Sequence, residues 1–118
     1  MPTISEKLAI ALQHHRAGRL EAAEEIYREI LTVQPDQPEA LHFLGLIAHQ
    51  VGQHEAAVEY IVRAIRQKGD VAGFHSDLGA VYRAMGRLPQ AVASFRRALK
   101  LDPNYAAANH NLGLAMRD

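Results

Sequence analysis

Seven histidines in a chain of 118 residues are the side chains best suited to chemistry near neutral pH, because imidazole both ligates metals and titrates there. Their spacing argues against a metal centre. His42 and His49 share a helical face but stand two turns, about 10.5 Å, apart, too far to hold one ion. His14 and His15 are adjacent and point in different directions. His15 and His49 occupy equivalent places on neighbouring helices, yet an ion between them needs a third ligand that the sequence does not offer. His14 and His75 suit packing positions, and His54 lies near a turn. Ser76, Asp77 and His110 are the residue types of a hydrolytic triad, but consecutive residues on a helix project about 100° apart, so Ser76 and Asp77 define no common pocket. No phosphate-binding glycine loop is present, and no acid pair is singled out by its spacing. The chain reads as non-enzymatic, with no metal and no cofactor.

What must position these side chains is a repeat. Gly45, Gly79 and Gly113 stand 34 residues apart, and Gly18, Gly52 and Gly86 form a second series with the same spacing. Other columns agree. Ile10, Leu44, Leu78 and Leu112 are large and apolar, and each is followed by a small residue: Ala11, Gly45, Gly79 and Gly113. Ala23, Ala57 and Ala91 precede the bulky set Tyr27, Ile61 and Phe95, which is followed by Ile30, Ala64 and Ala98, so large residues can meet small ones across a helix pair. Pro35, Gly69 and Pro103 close the units. The pattern predicts seven helices, at about 4–17, 21–33, 38–51, 55–67, 72–85, 89–101 and 106–117, with no strands. Gly18, Gly52 and Gly86 sit where a helix end wants a residue at positive φ. Pro38 and Pro89 suit first turns, and Asp70 and Asn104 are candidate caps for the helices that follow them.

A 34-residue unit with this order of small, aromatic and proline positions closely resembles the tetratricopeptide repeat (TPR) family. The third unit is the best match, through Leu78, Gly79, Tyr82, Gly86, Ala91, Phe95, Ala98 and Pro103. The resemblance implies an all-α, right-handed α-solenoid of antiparallel helix pairs: one domain over residues 1–118, with units at about 4–37, 38–71 and 72–105 and the first helix of a fourth at 106–118. In that family a stripe on each first helix lines a concave groove. Here the stripe reads Leu8, Leu12 and His15, then His42, Leu46 and His49, then Ser76, Ala80 and Arg83, then His110, Leu114 and Arg117, with Phe43, Asp77 and Asn111 in the adjoining column. The groove is expected to be apolar at its amino-terminal end and mildly basic toward its carboxy-terminal end. The Lys/Asn/Arg clamp with which some members grip a chaperone carboxylate is absent. Asn109 to Gly113 looks like a unit of the repeat arms of bacterial O-linked N-acetylglucosamine transferases, but of their asparagine ladder only Asn111 is present.

Two functions fit: a non-catalytic module that binds a protein or peptide segment in the groove, or the substrate-recruiting arm of a larger bacterial transferase, whether glycosyltransferase or methyltransferase. Composition excludes other classes. Thirteen acidic and thirteen basic residues leave no net charge, against a nucleic-acid arm or a polybasic membrane patch. No apolar run approaches the ~20 residues of a membrane span, and Met1 to Ala11 lacks a signal-peptide pattern. The lack of cysteine fits a cytoplasmic location. The last helix has no successor to cover Leu112, Gly113 and Met116, so either the chain continues in a longer array or this face is buried in a homodimer.

Overall fold

A computed structural model describes residues 1–118, and all seven expected helices are present with ends within one residue of those read from the sequence: α1 (Ile4–Arg16), α2 (Leu20–Val33), α3 (Pro38–Gln50), α4 (His54–Gln67), α5 (Ala72–Ala84), α6 (Leu88–Leu101) and α7 (Ala106–Arg117). The helices stack as antiparallel pairs, α1 with α2, α3 with α4 and α5 with α6, and α7 stands as the first helix of a fourth pair. The result is a rod of 48 × 26 × 22 Å. Within each unit the turn passes through a glycine in the left-handed region, such as Gly52 at φ 83°, where a side chain is disfavoured. Its N–H bonds back to the helix just ended, from Gly52 to the His49 carbonyl at 3.1 Å.

The pairs are held by the contact that the repeat columns anticipate. A Cβ added at Gly79 would lie 2.6 Å from the Phe95 ring, and one at Gly45 would lie 2.6 Å from Ile61 Cγ1. Phe95 and Ile61 are wholly buried, so neither can move aside. At Gly113 nothing lies within 4 Å, because no second helix follows α7. The large column behaves differently at the two ends of the stack. Leu44 and Leu78 are buried, whereas Ile10 is 43% exposed, since its position packs against a preceding unit and the first unit has none. Leu112 is half-buried against the α6 layer, so the uncovered surface at the far end is Gly113 with Met116, which is 63% exposed.

Two capping assignments are corrected. Asp70 and Asn104 are not caps: Val71 and Tyr105 hold the cap positions of α5 and α7, without side-chain bonds. Each expected residue sits one place too early, and Asp102 takes the polar role in the second turn by accepting from the Asn104 N–H at 3.1 Å. The true side-chain caps are Thr3, which forms a reciprocal capping box with Glu6, and Gln37, which accepts from the Ala40 N–H at 2.7 Å. Thr3 and Glu6 have the capping-box spacing and were legible.

Tyr27 fills the bulky position of the first unit, opposite Ala11. Its hydroxyl is buried without a partner, and burial pushes its pKa up to about 12. An unsatisfied buried hydroxyl costs roughly 1–3 kcal/mol. Tyr27→Phe is therefore expected to raise the free energy of unfolding by about 1 kcal/mol in urea denaturation. The two classes of helical glycine should separate in the same assay. Gly79→Ala should destabilise by about 1–3 kcal/mol through overpacking, whereas Gly113→Ala should stabilise by up to about 1 kcal/mol through helix propensity.

Candidate functional site

The first helices α1, α3, α5 and α7 present a continuous face, and the structure separates the columns that the sequence places on it. Leu12, Leu46, Ala80 and Leu114 are all half-buried, so the expected apolar ladder runs the length of the stack with part of each side chain open. Beside it lie His15, His49, Arg83 and Arg117. Their side chains are tied along the stack by a register that the sequence reading missed. His15 Nε2–H donates to Gln50 Oε1 at 2.6 Å, and Arg83 Nε–H donates to Asp118 Oδ2 at 2.8 Å. Both bonds join residue n to residue n + 35, one more than the repeat. At His49 the corresponding partner is Ala84, which has nothing to offer. His49 turns instead to His54, with the two Nδ1 atoms 3.1 Å apart.

The column of Leu8, His42, Ser76 and His110 is a correction. It does not line open groove in the middle of the stack. His42 is 8% exposed and Ser76 2%, because this column faces the neighbouring first helix. His42 Nε2–H donates to Asp77 Oδ2 at 2.6 Å, again 35 residues on, and its ring packs on Phe74 at 4.5 Å and on Phe43 at 5.0 Å. His110 stays exposed because no first helix follows α7, and Leu8 is half-buried against the first core layer. Phe43 is half-buried, stacked on Tyr27 at 5.4 Å with the His15 ring edge-on at 6.1 Å. Its ring thus joins the groove to the core. Asn111 is half-buried and Arg117 exposed.

The three residues of triad type are not brought together. Ser76 is buried, Asp77 is bonded to His42, and His110 stands on α7. His75 is buried, as its spacing suggests, and its Nε2–H donates to the Gly69 carbonyl at 2.9 Å, whereas His14 Nδ1 accepts from Arg19 at 2.8 Å at the surface. His15 and His49 do not bridge each other, and no three His, Cys, Asp or Glu side chains converge on one point. The clefts of the molecule lie elsewhere, beside the second helices and the turn before α2. One of about 380 Å³ is lined by Arg28, Leu31, Thr32, Pro35, Tyr60 and Arg63, and one of about 600 Å³ flanks residues 18–22 and Val51. The face of the first helices is an open strip without an enclosed pocket, a shape that fits a polypeptide segment better than a small molecule.

Stacked helix pairs with an open strip along their first helices define an α-solenoid repeat scaffold. Family models for the TPR repeat and the tetratricopeptide repeat match residues 79–117, 4–47 and 38–70, and the chain belongs to the tetratricopeptide repeat family. It is 34% identical to human tetratricopeptide repeat protein 7A over 85 residues, 72% of this chain and 10% of that one. The O-GlcNAc transferase of Thermobaculum terrenum superposes with a TM-score of 0.93 at 32% identity, over 98% of this chain and 23% of the transferase chain. The Yersinia enterocolitica secretion chaperone SycD, solved with a peptide of the translocator YopD, shares the fold at a TM-score of 0.85 and 14% identity, over 96% of this chain and 92% of that one. The chain thus spans a tenth of the human relative and under a quarter of the transferase. No helix is long and apolar enough to cross a membrane.

The histidine pair gives this face a pH response. Burial, and then the facing His54, hold the His49 pKa below the ordinary value of 6.5, against the pull of Asp77. The unfolded chain therefore takes up this proton more readily than the native one, so stability is full above the ordinary value and falls as pH drops through it. The stability of the parent relative to His49→Gln is expected to decline between about pH 8 and pH 5.5 in urea denaturation. A constant difference would show that folding leaves the His49 proton affinity unchanged.

Proposed function

We propose that the chain is a non-catalytic interaction module that takes a segment of a partner protein along the face of its first helices. The observation that carries this reading is the ladder of Leu12, Leu46, Ala80 and Leu114, half-open along the stack and flanked by His15, His49, Arg83 and Arg117. A continuous apolar strip edged by cations suits a peptide with spaced apolar anchors and some acidic residues. Phe43, Leu8, His110 and Asn111 extend the strip at its two ends, whereas His42 and Asp77 serve it from beneath by fixing α3 to α5. That SycD was solved with a translocator peptide supports the same use of the fold.

A second reading is favoured by one comparison: the likeness to the Thermobaculum terrenum O-GlcNAc transferase over 98% of this chain suits the substrate-recruiting arm of a larger bacterial transferase. Both readings use the same face, and a cytoplasmic location is proposed for either. They part on the remainder of the gene, since a transferase or methyltransferase domain downstream selects the second.

Peptides selected from a random display library against the parent provide the test. Each buried anchor contributes roughly 1.5–3 kcal/mol, so Leu46→Asp, with its helicity and melting intact, should weaken the selected peptides by at least about tenfold. Selected peptides that bind Leu46→Asp and the parent equally would remove the strip as the site.

A further inference from the structure

The zero net charge conceals a gradient along the second helices. On α2, Glu21, Glu24, Glu25 and Glu29 stand against Arg28 alone and leave −3. On α4, Glu55 and Glu59 balance Arg63 and Arg66. On α6, Arg96, Arg97 and Lys100 have no acid beside them and leave +3. All of these side chains are exposed except Glu24, which is half-buried. Little of the charge is neutralised within the molecule. Arg28 pairs with Glu24 at 2.9 Å, Glu29 reaches Lys7 at 4.0 Å, and Arg87 reaches Glu55 at 3.7 Å. The three cations of α6 have no carboxylate partner, nor do Glu21 and Glu25. The two charged helices lie on opposite sides of α4, roughly 20 Å apart at ordinary helix spacings. That exceeds the Debye length of about 10 Å at 0.1 M salt, so they cannot neutralise each other.

We propose that this face docks on a second copy of the same chain, with α2 of each copy against α6 of the other. The complement of each charged helix is present in the same molecule with equal and opposite net charge: Glu29 and Arg97 are one position two units apart, while Arg28 has its like in Arg96 and Glu21 and Glu25 stand a turn or more ahead of the cations. A two-fold axis parallel to α4 and lying between the copies places α2 of one opposite α6 of the other on both sides at once. The neutral α4 then lies on the axis against itself, with Val58 and Val62 beside a cleft of about 280 Å³. Zero net charge removes the long-range repulsion that would oppose self-association of a uniformly charged chain. This contact is distinct from the strip on the first helices, which stays open in the pair.

Sedimentation velocity on the intact chain tests the proposal. A dimer is expected at about 20 mM salt and should dissociate at about 500 mM. Reversing one helix (Glu21→Lys, Glu25→Lys and Glu29→Lys, or Arg96→Glu, Arg97→Glu and Lys100→Glu) should weaken association at least tenfold, with circular dichroism confirming the fold. Reversing both in one chain restores zero net charge and should restore the dimer. Energy transfer between copies labelled at the amino terminus then isolates the orientation. The parent and the doubly reversed chain should each pair with themselves but not with each other, because mixing them sets like charges face to face. A parent that stays monomeric at low salt, a dimer indifferent to salt, or free mixing of the two chains would overturn the proposal. A monomeric parent that binds a polyglutamate peptide through α6 would assign this face to an acidic partner instead.

Discussion

Everything in this fold depends on how closely two helices of one unit approach. At Gly45 and Gly79 the approach leaves no space for even a methyl group, and the space is filled by Ile61 and Phe95. Dispersion and burial act over short distances, so this contact sets the angle and depth of each pair. The alanines around each bulky residue, Ala57 and Ala64 or Ala91 and Ala98, are fully buried and let the neighbouring unit come in over it. From that stacking follows the alignment of the first helices, and from their alignment the strip to which we assign binding.

The repeat was legible because this contact constrains residue type strongly and recurs at one interval. Glycine at the close approach, glycine at the left-handed turn and alanine at the crowded positions leave a trace that alignment by 34 residues exposes. Helix ends followed from the same glycines and from Pro38 and Pro89. The caps were less legible, because a polar residue near a helix start is useful only in one phase. Asp70 and Asn104 are one residue out of it, and the half-buried Val71 and Tyr105 take those places instead.

The division of the first-helix face was hidden for a geometric reason. Neighbouring first helices meet with an offset, so side chains pair at 35 residues and not at 34. Columns drawn at the repeat length place His42 and His49 together on the groove, yet the offset turns His42 toward Asp77 and leaves His49 without an opposite number. The exposure of Ile10 and His110 has a separate origin, their place at the ends of the stack. Each occupies a position whose partner belongs to an adjacent unit, and at the two ends of the stack that unit is missing.

The 35-residue register also bears on how such a stack grows by duplication. Each first helix places two consecutive residues in this register, one facing forward and one facing back: His49 and Gln50, Arg83 and Ala84, Arg117 and Asp118. His15 and Gln50 are joined, as are Arg83 and Asp118, and the junction of His49 with Ala84 is open. A tandem copy of a unit whose first helix ends in Arg-Asp, as α7 does, would join itself to its parent at once, whereas a copy of the unit carrying Ala84 would insert an unlinked junction. Copy number is therefore not neutral for this architecture. Which unit is duplicated decides whether the new junction is linked, as at Arg83, or open, as it already is between His49 and Ala84.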